Sequence, residues 1–281
     1  MAVNLNNFII DRVLRGVAQS HTDDSVLFAI TQIQNPSLTC SSESTDAVDA
    51  LGTPVATFYR SKTAEFSAEN AMFDMNLMAV QVGAEKKVAS SENKILVPAF
   101  EKIAVKSGET SYTLKHNPVT LPTYCYALNG DGTLGTKYTK ATKPQTGEAV
   151  ATAENFVIAT SGSGDAEKTT LTIPTGLAAE TELLVIYEYR SNEGISVANS
   201  AKKFPKGCKF TLEVLGCDVC NQTNLLFAYL IFPNFKLSPD FDWSIQTDGS
   251  HPCSGKAMQE YCAKDNKLFE IIIVDGDEDE I

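Results

Sequence analysis

Lys209–Phe232 reads KFTLEVLGCDVCNQTNLLFAYLIF. Its two ends, Lys209–Leu215 and Leu225–Phe232, are rich in β-branched, aromatic and aliphatic residues, and both predict strands. The same texture recurs at Glu182–Arg190 (ELLVIYEYR), Phe241–Gln246 and Leu268–Val274 (LFEIIIV). Upstream it recurs at Ser25–Ile33 (SVLFAITQI) and, after the turn residue Gly52, at Pro54–Lys62 (PVATFYRSK). Pro36 is expected to end the first of these, because proline cannot donate to a ladder. Turn signals between the runs point to a mainly β fold, an antiparallel sandwich or barrel.

One segment departs from that texture. Ser67–Val82 reads SAENAMFDMNLMAVQV and is followed by Gly83. Ser67 suits an N-cap, Glu69 places negative charge in the first turn, and Gly83 fits the position just past a helix end. Ala68, Met72, Met75, Ala79 and Val82 repeat at helical spacing, which predicts one main helix over about 67–82. Phe73, Leu77 and Val80 add a second apolar stripe. A helix apolar on two faces is either fully buried or has one face on its own sheet and the other in a subunit interface. Met72, Met75, Met78, Phe73 and Leu77 are the candidate interface residues, methionine being a side chain that repacks easily.

Between 117 and 180 the chain is looser. Asn129–Gly135 (NGDGTLG) reads as a hairpin turn, and Ser161–Asp165 (SGSGD) as an exposed loop. Short strands fit Asn155–Thr160 and Lys168–Ile173. This stretch is expected to be an inserted β-rich module. It would interrupt a main domain made of 1–116 and 181–274, with 275–281 an acidic tail.

The 281 residues are 43% hydrophobic and 21% charged, a composition that excludes disorder of the whole chain. No apolar run approaches the roughly 20 residues of a spanning helix. The first residues, MAVNLNNFIIDRVLRG, lack the pattern of a secretory signal. The net charge of −12 disfavours clinging to DNA or to anionic lipid. It is compatible with a surface that DNA slides past.

Site chemistry is sparse. Cys217 and Cys220 form a CxxC, but Cys253 and Cys262 are too far apart for a second knuckle, so no metal is expected. The seven cysteines are expected to be reduced thiols in a cytosolic assembly compartment. His21, His116 and His251 sit in polar, turn-like contexts and are expected at the surface. Asn129-Gly-Asp131-Gly lacks the remaining ligands of a calcium loop, and Asp23-Asp24 has no partner acid. No nucleophile elbow, P-loop, zinc-protease or dinucleotide motif is present. No catalytic residue and no cofactor is assigned.

The stretch 27–83, LFAITQIQNPSLTCSSESTDAVDALGTPVATFYRSKTAEFSAENAMFDMNLMAVQVG, resembles the core of phage tail tube proteins, also called major tail proteins. The likeness lies in the order of parts: a strand, a polar loop around Glu43–Asp49, a strand of mixed charge (TFYRSKTAEFS) and a helix ended by Gly83. Phe232–Cys262 and Lys267–Asp275 are similar to the closing strands of such proteins, with a turn at Thr247-Asp248-Gly249. The resemblance implies hexameric rings that stack into a tube in the virion tail, assembled in the host cytoplasm. Genomic DNA would pass through the lumen without specific binding. Tape measure, sheath or terminator proteins are the further partners it implies, and no membrane. Thr39–Thr53 would then be a docking arm for the next ring. Two other classes compete: a capsid decoration or head-completion protein, and a β-sandwich carbohydrate-active enzyme. The latter would need converging carboxylates and aromatic platforms, against which stand the single tryptophan, Trp243, and the lack of an acid pair.

Overall fold

The computed structural model describes residues 8–164, 167–219, 222–223, 225–259 and 266–275. Strand accounts for 55% of it and helix for 3%, so the fold is mainly β. The chain forms two compact units, one of residues 1–86 with 197–281 and the other of Lys87–Ser196.

The first unit opens with β1 (Phe8–Ser20), β2 (Val26–Ile30), β3 (Ile33–Val48), β4 (Pro54–Asn70) and the short helix α1 (Met75–Gln81). In the second unit follow β5 (Lys87–Val88), β6 (Ile95–Ala104), β7 (Ser111–Thr113), β8 (Tyr124–Leu128) and β9 (Leu134–Lys140). It continues with β10 (Asn155–Ser161), β11 (Lys168–Thr172), β12 (Glu182–Ser191) and β13 (Ile195–Ser196). The chain then returns to the first unit with β14 (Gly207–Asp218), β15 (Leu225–Leu237), β16 (His251–Ala257) and β17 (Glu270–Asp275).

In the first unit the strands run β2-β1-β14-β15-β16-β4-β3. One side of β15 is shared: β17 pairs with Leu226–Ile231, and β16 takes Phe235–Leu237. The pairs are antiparallel. Along β14, Cys208, Phe210, Leu212 and Val214 alternate inward, the period-2 pattern that makes this segment readable as a half-buried strand. Five phenylalanines meet in the core. Phe66 contacts Phe210 at 5.6 Å and Phe232 at 6.1 Å, Phe28 lies 6.0 Å from Phe210, and Phe235 lies 5.1 Å from Phe210. Each such ring contributes about 1.5–3 kcal/mol by burial. Gly255 on β16 is required by this packing, since a Cβ there would fall 2.5 Å from the Phe235 ring.

The second unit is ordered β6-β12-β8-β9-β10-β11-β7, with β5 and β13 as a separate pair. β9 and β10 run parallel and its other pairs antiparallel. It has its own core, built on Cys125, Phe156, Leu171, Leu183 and Val185. The expected turn at Asn129–Gly135 joins β8 to β9, with Gly132 at φ 80°.

Several expectations are corrected. The helix is Met75–Gln81, not 67–82. Ser67–Asn70 belongs to β4, where Ala64, Phe66, Ala68 and Asn70 are buried at every second position and residues 65–70 pair with β16. The N-cap is Asp74, whose carboxylate accepts the Leu77 N–H at 2.7 Å, rather than Ser67. Gly83 does sit just past the helix at φ 65°, where a side chain would strike the Phe204 backbone. Pro36 lies inside β3, at a register shift between Gln34 and Ser37. β3 is an edge strand, so the missing donor costs no ladder bond. Phe241–Gln246 is not a strand. The inserted unit spans 87–196 and not 117–180, because β6 pairs along its whole length with β12 and brings 95–104 with it. Asp275 ends β17; the remainder of the expected acidic tail lies outside the described residues.

Candidate assembly interface

The expected polar loop at Thr39–Thr53 is instead the outer part of β3 and the turn of a long antiparallel hairpin, β3 paired with β4 from Ile33–Asn70 to Val48–Pro54. Its tip is built by Asp49. The Asp49 carboxylate accepts the N–H groups of Leu51 and Thr53 at 2.9 and 2.8 Å, and Gly52 takes φ 86°. Cross-strand bonds stiffen the shaft: Thr57 donates to Asp46 at 2.7 Å, and the Ser41 and Thr63 hydroxyls meet at 2.7 Å.

All 25 residues from Thr39 to Thr63 are exposed, on both faces of the ribbon. At about 3.3 Å per residue the distal ten residues of β3 reach roughly 30 Å beyond the buried part of the sheet. The ribbon is not purely polar. Leu51 is 91% exposed and Tyr59 73%, and Val48, Val55 and Phe58 are also exposed. A two-stranded ribbon on its own is marginal in water. Large apolar side chains left exposed together are a common mark of contact surfaces.

The five candidate residues around the helix divide. Leu77 is 0% exposed and lies in the first unit's core with Phe28 and Ile30, so it is not an interface residue. Met75 and Met78 are half-buried. Met72 is 58% exposed and precedes the helix. Phe73, more covered, stacks on Trp243 at 4.3 Å and on His251 at 4.8 Å. Met72 thus offers the most open apolar surface of the five, with Phe73 second at 39% exposed. Beside α1 runs a cleft of about 470 Å³ lined by Leu27, Val80, Phe204 and three lysines.

His251 is the other correction. It is fully buried rather than at the surface. Its Nδ1 accepts the Asp74 N–H at 3.2 Å, and its Nε2 faces the Gln81 side-chain oxygen at 2.9 Å. Burial holds its pKa below the ordinary value, opposed by the nearby Asp74 charge. His21 and His116 are exposed as expected.

The buried thiols have no reactive setting. Burial pushes Cys208 up to about 11 and Cys253 and Cys125 up to about 12, far from the thiolate range that reactivity needs. Cys217 lies on β14, while its partner Cys220, and Cys262, fall outside the described residues. Among the described residues no group of three His, Cys, Asp or Glu could hold a metal ion, and no helix is long and apolar enough to cross a membrane.

Residues 8–267 match the profile of the YomU/Tube protein family. The chain belongs to that family. The match spans both units and agrees with the resemblance to phage tail tube proteins carried by 27–83 and the C-terminal strands. Membership of the YomU/Tube family makes this a structural, tube-type phage protein rather than a member of a known enzyme family. No curated protein matches it. The sequence signal for the arm was present in PVATFYRSK and its mixed charge. What hid the arm's other half was a run of Ser, Thr, Glu and Asp at 41–46, polar because both faces meet solvent.

Proposed function

We propose that this YomU/Tube family protein forms hexameric rings that stack into a phage tail tube, with the β3–β4 hairpin reaching from each subunit onto a neighbouring copy. The observation that carries this reading is the arm: 25 consecutive exposed residues bearing Val48, Leu51, Val55, Phe58 and Tyr59. A ring or a stack would cover such a ribbon with a neighbouring copy. The edge strands β2, β3 and β17 leave unpaired backbone groups that neighbouring subunits could continue into a shared sheet. Genomic DNA would pass along a lumen without specific binding, since a chain with a net charge of −12 repels phosphate. Tape measure, sheath or terminator proteins are the other partners this role implies.

The test uses a double variant at the arm, Phe58→Asp with Tyr59→Asp. Both side chains are exposed in the monomer, so its thermal unfolding should match wild type. Electron microscopy and sedimentation of wild type should show tubes or rings, and the variant should remain monomeric. Tubes formed equally well by the variant would remove the arm from assembly. A wild-type protein that docks only as flat patches on capsids would favour a decoration role instead.

A further inference from the structure

The second unit carries a cleft of about 760 Å³ whose lining includes Lys94, Lys115, Lys168 and Arg190. Among the described residues the side chains of these four make no ion pair and no hydrogen bond, and Glu167 is the one acid of the lining. In a chain with 35 acids against 23 bases, four unpaired cations around one cleft run against the overall charge. Converging like charges repel, and a concave wall concentrates their field.

The β7–β8 connection, which supplies residues 114–119 of the cleft lining, is held from beneath. The buried carboxylate of Glu101 on β6 accepts the Lys115 N–H with both oxygens, at 3.2 and 3.1 Å, and the Tyr187 hydroxyl at 2.6 Å. The Tyr187 oxygen in turn accepts the His116 N–H at 3.3 Å. The Asn117 amide donates to the Glu167 carbonyl at 2.7 Å and accepts from the buried Thr169 hydroxyl at 3.3 Å. Three consecutive residues of the β7–β8 connection are thereby pinned to β6, β11 and β12. Burying a carboxylate is costly unless its bonds are made, and here they are made to the Lys115 backbone of the loop and to the Tyr187 hydroxyl. His116 lies flat on Tyr189, with ring centroids 3.8 Å apart at 6°, and gives the cleft a rigid planar wall. Arg190 offers a fork for two oxygens of one oxyanion, and the lysines supply point charges around it.

We infer that this cleft binds a compact multivalent oxyanion, a small molecule carrying several phosphate or carboxylate groups. The inference rests on the second unit alone and stands apart from the ring proposal. Two sources share this chemistry, a free polyphosphate and an acidic saccharide.

The experiment is calorimetric titration of the full chain at low salt with tripolyphosphate, with trigalacturonic acid and, as the uncharged control, with a neutral galactose trisaccharide. At least one charged probe should bind, weakening as salt rises. Lys115→Glu and Arg190→Glu should each weaken it about tenfold or more, while Lys102→Glu, exposed on β6 and absent from the cleft lining, should leave it unchanged. Binding of tripolyphosphate alone assigns the phosphate source, and binding of trigalacturonic acid alone the saccharide. The inference fails if neither charged probe binds, if the neutral trisaccharide binds as well as the acidic one, or if the cleft variants bind as tightly as wild type. Circular dichroism of each variant confirms that the fold is retained.

Discussion

Two hydrogen bonds fix the tautomer of His251: Nδ1 accepts from the Asp74 backbone, so the proton sits on Nε2 and is donated to Gln81. The Gln81 amide is committed in turn to the Pro252 carbonyl at 2.7 Å. Adding a second proton would place a hydrogen where Nδ1 now accepts one. Burial, the larger cause, lowers the folded pKa below the ordinary 6.5. On acidification the unfolded chain therefore takes up the proton first. The stability due to the neutral ring is complete above about 6.5 and is lost as pH falls towards the lowered folded value. Urea midpoints measured from pH 7.5 down to 5.5 should decline for wild type. His251→Leu should start lower, by about 1–3 kcal/mol, because the Asp74 N–H and Gln81 oxygen lose their partner. It should also lack the decline. Equal slopes in the two proteins would show that other groups set the acid sensitivity.

The short segment that contains Met72 and Leu77 separates packing from assembly. Leu77 fills the first unit's core, and Leu77→Ala should cost about 2–5 kcal/mol of monomer stability, read as a lower urea midpoint. Met72 is open to solvent, and Met72→Asp should change monomer stability by no more than about 0.5 kcal/mol. If Met72 lies in a subunit contact, the same change should abolish sedimenting assemblies, because an unpaired charge would be buried. Assembly at wild-type level would confine the helix region to a core role. The misreading of this segment has a physical source. Ala68 fits a helical repeat with Met72 and Met75, yet it also continues the alternation Ala64, Phe66, Ala68, Asn70. What decides between the two periods is pairing with β16, nearly two hundred residues away, which leaves no local mark. β12 and β14 were legible because alternation and apolar content agree along them, and β15 because LLFAYLIF is a continuous apolar run. The buried state of His251 was not legible, since stacking by Phe73 comes from a distant part of the chain.

At the scale of the whole molecule, the division into units follows from which strands share a sheet. β12 lies between β6 and β8, so the strand at 95–104 belongs with the inserted unit although its sequence reads like the preceding domain. The two ends of the insertion meet: Val88 pairs with Ile195, and Lys87 with Ser196. Antiparallel partners have Cα atoms about 5 Å apart, a gap that a few glycines and serines close at little entropic cost. The unit also has its own buried core around Phe156, Leu171 and Leu183. Residues 87–196 expressed alone should therefore give a β-type circular dichroism spectrum and one cooperative thermal transition. The complementary chain, with 87–196 replaced by a short Gly/Ser linker, should keep the first unit's transition, because the five-phenylalanine core takes nothing from the insertion. It should also still form tubes if assembly resides in the β3–β4 arm and the first unit's sheet edges. An isolated 87–196 without a cooperative transition would show that the insertion depends on its host. A folded deletion chain that no longer polymerises would instead place an assembly contact on the inserted unit.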